Sequence, residues 1–223
     1  MRKMGNKILY DDTTYGGTEQ MDGMHAWAAE QTGTDLDIDE GEGALALSHL
    51  RLQLDAMKYG VDFMLIPMCI GRRFDAAWEE SGLVALASGT AGALSTITVG
   101  NDQATGRRIM FYQGVPLIRT DYLVAEQANT GVGSDARAVH TSGTAQYSIF
   151  MVKKGNVLAS EPGFCVGFGN TENVNEFFSM IPYDKLENYL AKGMVMYNYG
   201  NCMLGSSKGL GRIYDITDAA ITA

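Results

Sequence analysis

The spacing of apolar side chains predicts a helix, a buried strand and a second helix in the first third of the chain. Apolar residues three or four positions apart mark one face of the first helix, which Ser48 can cap and Gly60 can end. Residues 62–67 follow as a short apolar run, typical of a strand covered on both sides. A second amphipathic helix is predicted over residues 68–80, with Gly82 as its end.

A β-hairpin is predicted at residues 107–121, RRIMFYQGVPLIRTD. Its two arms carry aromatic and β-branched side chains, and Gln113 and Gly114 stand between them as a tight turn. Pro116 donates no backbone hydrogen bond, so it predicts an edge position or the first residues of a strand. Helices early in the chain and strands after them indicate an α+β class.

Weaker patterns predict the other elements. Residues 7–10 favour a strand, and a helix capped by Asp22 is expected to run through Gln31 and end at Gly33. Residues 126–144 are polar with little periodicity, which is typical of a functional or mobile surface loop. Further strands are predicted at residues 96–99, 147–153, 164–168, 176–181, 189–199 and 212–216.

Composition narrows the class of protein. With 223 residues, 46% apolar and 19% charged, the chain can bury a core, and no apolar run approaches the length that spans a bilayer. The net charge of −9 argues against a sequence-independent grip on phosphates. Cys69, Cys165 and Cys202 lie far apart, so neither a disulfide framework nor a zinc site is expected. These features predict a protein of a reducing compartment without an export signal.

The acidic segment around residue 37 begins like a calcium-binding loop, because Asp35, Asp37 and Asp39 alternate. The sixth position is Glu40 instead of glycine, and the twelfth is Ala46 instead of a bidentate glutamate. A solvated acidic turn is therefore expected here, with a weak cation site as the alternative.

Residues 205–209 match the G-x-S-x-G pattern that exposes a nucleophilic serine, here Ser207. In that fold the histidine follows the serine, whereas His25, His49 and His140 all precede Ser207, and a strand is predicted after it. A serine hydrolase remains an alternative that the context opposes. His25 and His140 are expected to be ordinary polar residues, because neither has a metal-ligand partner at the required spacing.

Other motifs fall short of their patterns. Residues 200–207 resemble a phosphate-binding loop, but Ser206 occupies the position of the required lysine. Residues 131–136 resemble a dinucleotide fingerprint without its strand and helix. Tyr197 and Tyr199 are expected to pack on a sheet instead of stacking on nucleic-acid bases. Five methionines are expected to fill the core: Met57, Met64, Met68, Met194 and Met196.

Four segments together resemble tailed-phage major capsid proteins of the Hong Kong 97 (HK97) type. Residues 21–28, MDGMHAWA, are similar to the family's F-D-G-L segment, and residues 44–82 to its helix, strand and helix. The most specific match is YQGVPLIRTDYL at residues 112–123, similar to the y-x-G-V-P-I-x-x-s-D strand pair. Residues 148–163, followed by the strand region 194–216, resemble the C-terminal half.

The resemblance implies the HK97-like fold with an axial (A) domain and part of a peripheral (P) domain. Residues 1–43 would be a P-domain segment, residues 44–190 mainly the A domain, and residues 191–223 the C-terminal P-domain strand. The loop at residues 126–144 would lie at or near a symmetry axis. No stretch resembles the family's N-terminal arm, extended loop or spine helix, so these are expected on another chain or in a missing part of the reading frame.

The function implied is that of a structural capsid subunit. Copies of the chain would form the hexamers and pentamers of an icosahedral shell that encloses DNA without reading its sequence. Scaffolding, portal or decoration proteins would be further partners, and the subunit would assemble in the host cytoplasm and reside in the virion. No catalytic, cofactor-binding or metal-ligating residue, no cofactor and no membrane contact is expected. An encapsulin-like compartment and a hydrolase using Ser207 are the alternatives.

Overall fold

The computed structural model describes residues 7–10, 21–88, 97–101, 108–128, 137–156, 158–169, 179–183, 193–197 and 199–222. Residues 7–10 form a helical turn. The named helices are α1 (Met24–Ala29), α2 (Leu47–Ala56), α3 (Met68–Ser88) and a 3-10 helix (Ser207–Gly209). The named strands are β1 (Asp37–Gly43), β2 (Phe63–Pro67), β3 (Ile97–Asn101), β4 (Arg108–Tyr112), β5 (Val115–Thr120), β6 (Glu126–Ala128), β7 (Arg137–Val139), β8 (Tyr147–Val152), β9 (Phe164–Gly169), β10 (Ser179–Tyr183), β11 (Gly193–Tyr197), β12 (Tyr199–Leu204) and β13 (Leu210–Ile216).

A seven-stranded mixed sheet forms the centre, in the order β1-β13-β8-β2-β5-β4-β3. The pairs β1 with β13 and β2 with β5 are parallel, and the other neighbours are antiparallel. Three two-stranded ribbons accompany the sheet in the described part of the chain: β6 with β7, β9 with β12, and β10 with β11. The predicted α+β class and the helix-strand-helix order of α2, β2 and α3 are confirmed.

The hairpin of β4 and β5 is also confirmed, with its turn at the predicted residues. Gln113 and Gly114 both have positive φ, 48° and 84°, as in the two-residue turns whose twist matches that of paired strands. Of the two positions predicted for Pro116, the edge is wrong because β5 lies between β4 and β2, and the start of a strand is confirmed because Pro116 is the second residue of β5. Pairing between β5 and β2 begins at Leu117, one residue after Pro116. The N–H that Pro116 lacks is therefore not needed for a hydrogen bond to β2.

The two faces of the sheet are covered differently, and alternation along each strand separates them. Ile149 and Met151 of β8 point to one face, which we call the helical face because α2 and α3 cover it. Phe150 and Val152 point to the other, which we call the network face. α1, the helical turn at residues 7–10 and the β9–β12 ribbon cover the network face.

Several predicted boundaries are wrong. Residues 7–10 are helical, because three apolar residues in a row do not distinguish a strand from a helical turn that buries Leu9. Gly23 and Ala46, not Asp22 and Ser48, precede α1 and α2 as N-caps. α3 continues through Gly82 to Ser88, since a single glycine weakens a helix without ending it.

Strand pairing overrides three further predictions. The expected acidic turn is the strand β1, which pairs with β13. Within the expected loop at residues 126–144, residues 126–128 and 137–139 are the paired strands β6 and β7. The single strand predicted at 189–199 is two strands with different partners, since β11 pairs with β10 and β12 with β9. The fingerprint at 131–136 lies outside the described residues. The domain division at residues 43 and 190 remains a prediction.

Candidate functional site

Six polar side chains meet on the network face, beneath α1. They come from the helical turn at residues 7–10, α1, β1, β6, β8 and β13. Five of them are buried and Tyr10 is half-buried. We call this set the polar network: Tyr10, His25, Asp37, Glu126, Ser148 and Arg212.

Arg212 is the centre of one half of the polar network. Its guanidinium donates two hydrogen bonds to the Asp37 carboxylate, at 2.7 and 2.9 Å, and its Cζ lies 4.4 Å from the centre of the Tyr214 ring. A third nitrogen, Nη1, lies 3.3 Å from Nδ1 of His25. Because a guanidinium has no acceptor, Nδ1 must accept this bond, and the neutral imidazole therefore carries its proton on Nε2.

Glu126 is the centre of the other half. The Tyr10 hydroxyl donates to its Oε1 at 2.7 Å, the Ser148 hydroxyl donates to its Oε2 at 2.6 Å, and His25 Nε2 lies 3.2 Å from Oε1. Burial raises the pKa of Glu126, but His25, Ser148 and Tyr10 outweigh it and hold the pKa below its ordinary value. Glu126 is therefore a buried carboxylate satisfied by three donors.

His25 joins the two halves. Its ring is stacked on Tyr10 with centroids 4.9 Å apart and meets the edge of Phe150 at 4.8 Å. Burial lowers the pKa of His25, Glu126 opposes this, and the cations Arg212 and Arg137 lower it further. A neutral imidazole thus bridges a buried cation and a buried anion.

A second ion pair lies beside the network. Arg137 donates to Gln146 Oε1 and to Asp215 Oδ1, both at 2.8 Å, and its Cζ lies 4.3 Å from the centre of the Tyr214 ring. Burial raises the pKa of Asp215 despite Arg137. Asp215 also has a φ of 62°, at an irregularity where β13 departs from the register of β8. The aromatic ring of Tyr214 therefore contacts both guanidiniums.

The chemistry of the polar network is that of a structural clamp. Ser148 donates its proton to the Glu126 carboxylate and not to His25, and the lowered pKa of Glu126 makes this carboxylate a poor base for activating a serine. Both oxygens of Asp37 are engaged by Arg212, which excludes the calcium-loop role considered for Asp35, Asp37 and Asp39. No three His, Cys, Asp or Glu side chains of the described residues are placed to hold a metal ion.

The other predicted sites have structural explanations. Ser207 lies exposed in the 3-10 helix, which Ser206 caps by accepting a hydrogen bond from the Lys208 N–H, and a strand follows it as expected. Residues 200–204 of the near phosphate-binding loop belong to β12. Cys69, Cys165 and Cys202 are free thiols. Met57 and Met64 are buried as predicted, whereas Met68 and Met194 are exposed; the side chains of Met196, Tyr197 and Tyr199 lie outside the described residues.

Sequence reasoning did not find the polar network. His25 was interpreted as an ordinary polar residue, and Glu126 as the start of a surface loop. The available signal was Arg212, a charged residue inside a run that otherwise predicts a strand, because a buried arginine requires an acid partner. Nothing in the spacing indicates that this partner is Asp37, which lies 175 positions away.

A groove of about 370 Å³ lies beside the β9–β12 ribbon. Its lining includes Pro162, Cys165, Met203 and Leu204. The neighbouring turn presents Leu158, whose surface is 98% exposed, and the side chain of Asn156 fixes this turn by accepting the N–H of Leu158 at 3.1 Å. Other large apolar side chains are exposed on separate elements, among them Met68, Ile118, Val139, Ile181 and Met194.

Comparisons with known proteins bear on the fold. No protein-family model and no curated protein matches the sequence. Among solved structures, the chain is similar to the encapsulin subunit of the holo-SrpI encapsulin complex from Synechococcus elongatus, with a TM-score of 0.61 and 12% sequence identity. The match covers 100% of this chain and 63% of that subunit, which has the HK97-like fold.

The chain has the HK97-like fold. The fold confirms the coarse expectation drawn from the four segments that resemble HK97-type capsid proteins. The most specific of these segments, residues 112–123, belongs to the hairpin of β4 and β5. The HK97-like fold is shared by encapsulins and phage capsid proteins, so the comparison does not single out a tailed-phage capsid protein. The chain spans 63% of the length of the subunit it matches. No helix in the described ranges has the length and apolar character needed to cross a membrane.

Proposed function

We propose that this chain is a structural subunit of a closed protein shell, without a catalytic role. The observation that carries the proposal is the likeness to an encapsulin subunit over 100% of the chain. A shell subunit associates through many modest contacts repeated by symmetry. The exposed apolar side chains, with Leu158 foremost, are candidates for such contacts.

The more specific proposal is a bacteriophage capsid that encloses the genome. It rests on the YQGVPLIRTDYL segment, which is similar to the strand pair of tailed-phage capsid proteins and contains the last residue of β4, the turn and all of β5. Copies of the chain would form hexamers and pentamers of the virion, with scaffolding, portal or decoration proteins as further partners. With a net charge of −9, the wall would enclose DNA without clamping it.

An encapsulin-like compartment is the second candidate, favoured because the matched structure is itself an encapsulin complex. Both candidates share the shell and differ in its content. The enclosed cargo would be protein in the compartment and DNA in the capsid.

The test is negative-stain electron microscopy of the purified product, expressed both alone and together with the coding sequence that precedes it. Uniform polyhedral particles are expected in at least one preparation, and a monodisperse small monomer in both would contradict the proposal. Nuclease treatment followed by extraction distinguishes protected DNA from a copurified protein. Tight, salt-sensitive binding of free DNA at low salt would contradict the proposal that the shell encloses DNA without binding it strongly.

The absence of a catalytic role has its own test. The chain and its Ser207→Ala variant are assayed with activated ester substrates. No hydrolysis above buffer is expected from either protein. Hydrolysis that the substitution abolishes would establish the serine hydrolase instead.

A further inference from the structure

We propose that His25 is an acid-sensitive latch that holds α1 and the helical turn at residues 7–10 against the network face. The latch is closed when the imidazole is neutral and opens when the ring takes up a second proton at Nδ1. The residues that form it are those of the polar network.

The closed state depends on the imidazole having one acceptor and one donor. Nδ1 accepts from the Arg212 guanidinium at 3.3 Å, and Nε2 faces the Glu126 carboxylate at 3.2 Å. A proton on Nδ1 replaces this acceptor with a donor that points at another donor, and it places two positive charges in contact. One of the two side chains must then move.

Arg212 is held more firmly than His25. It is fully buried, it makes two hydrogen bonds to Asp37, and its backbone carbonyl accepts from the Gln53 side chain at 2.8 Å. β13, which carries it, is paired on both sides. α1 has only six residues and no side-chain cap, so it depends on its packing, and His25 is expected to leave with it.

The charges around His25 come from several elements. Arg212 on β13 and Arg137 on β7 oppose an imidazolium, whereas Glu126 on β6 favours it. Tyr10 contributes its ring and a hydroxyl to Glu126, β8 contributes Ser148 and Phe150, and the charge of Asp37 on β1 is engaged by Arg212. Two hydroxyl donors already stabilise the Glu126 carboxylate, so a positive charge on His25 adds less stabilisation.

The direction of the pH effect follows from the lowered pKa of His25, for which burial is the main cause. In a released or unfolded chain the histidine titrates near about 6.5, so the latched state binds fewer protons below that pH. Its stability is therefore complete above about pH 6.5 and is lost as the pH falls toward the folded-state pKa. Opening exposes apolar residues of the network face: Leu9, Met24 and Ala28.

The experiment is amide hydrogen exchange by mass spectrometry between pH 7.5 and 4.5, corrected for intrinsic rates. The control variant is His25→Gln, whose amide keeps one donor and one acceptor but does not titrate. In the native chain the peptide covering residues 21–31 should lose protection at least about tenfold below pH 6.5, while the peptide of α2 stays protected. In the variant, this loss should move down by at least about one pH unit. Equal midpoints in both proteins would overturn the proposal.

A second measurement covers the possibility that His25→Gln does not fold. Slow exchange of the histidine C2–H, read by mass spectrometry, gives the pKa of each of the three histidines in the native chain. The measurement works whether the chain is a monomer or part of a large particle. A His25 pKa below about 6.5, coinciding with loss of protection at residues 21–31, supports the latch. A value above about 6.5 overturns it, because the ring would then be protonated while α1 is still bound.

Discussion

The two faces of the central sheet are stabilised in different ways. The helical face is a continuous apolar cluster under α2 and α3, with fully buried side chains such as Leu50, Ile66 and Phe74. The network face also has apolar residues, but its centre is a chain of charges and hydrogen bonds from Asp37 through Arg212 and His25 to Glu126.

The two faces are expected to differ in how strongly amino-acid substitutions destabilise them. Apolar burial is non-directional and roughly proportional to area, so the helical face should accept replacements of similar volume at modest cost. A buried charge network depends on every partner, because a charge left alone has neither water nor a counter-ion. The network face should therefore fail at single positions, and the following experiments test this contrast.

The largest effect is expected from Arg212→Met. It leaves the buried Asp37 carboxylate without its cation and should lower the free energy of unfolding by about 3–5 kcal/mol, as measured by urea denaturation. The double variant Arg212→Met with Asp37→Leu removes both charges and should recover much of this loss. A double variant as unstable as the single one would show that the network face depends on shape and not on charge pairing.

Leu50→Ala should destabilise the helical face by about 3 kcal/mol, because it removes a fully buried side chain and leaves a cavity. Leu52→Ala is the matched control on the same helix, since Leu52 is exposed, and it should change stability by less than about 0.5 kcal/mol. Thermal or urea unfolding measures both. Similar losses in the two variants would mean that α2 does not bury the face assigned to it.

Ser148→Ala should cost about 2 kcal/mol, because it deprives the buried Glu126 carboxylate of one of its donors. The substitution removes a single oxygen, so packing changes little and the loss reports the hydrogen bond. Ser48→Ala, on the exposed side of α2, is the control and should be close to neutral. If Ser148→Ala were also neutral, the polar network would not require all three of its donors to Glu126.

The smallest effect is expected from Ile66→Val, at about 1 kcal/mol. It removes one methyl group from a fully buried position of β2 on the helical face. The comparison with Ser148→Ala is informative because each substitution removes one heavy atom. A greater loss at Ile66, measured by urea unfolding, would reverse the proposed difference between the faces.

The sequence predicted the helical face better than the network face, for a physical reason. The helix-strand-helix order of α2, β2 and α3 depends on side chains a few positions apart, and so does the turn at Gln113 and Gly114. These are local signals, and the structure retains them. The end of α3 was missed because a single glycine, Gly82, weakens a helix without ending it.

The polar network brings together residues from distant parts of the chain. Tyr10 and Glu126 are 116 positions apart, and His25 and Arg212 are 187 apart. Spacing along one chain carries no information on such pairs. Asp37 was interpreted as part of a solvated turn because its neighbours are acidic, and only the pairing of β1 with β13 shows that it is buried.

The position of β13 has a consequence for synthesis on the ribosome. This strand lies between β1 and β8, yet it is made after the other six strands of the described sheet. Until β13 is made, β1 lacks the parallel strand with which it pairs, and Asp37 lacks its counter-ion Arg212. The sheet therefore stays incomplete while the earlier part of the chain is already synthesised. This sheet is therefore expected to be completed only once β13 has left the ribosome, and the strands exposed in the interval favour the binding of chaperones.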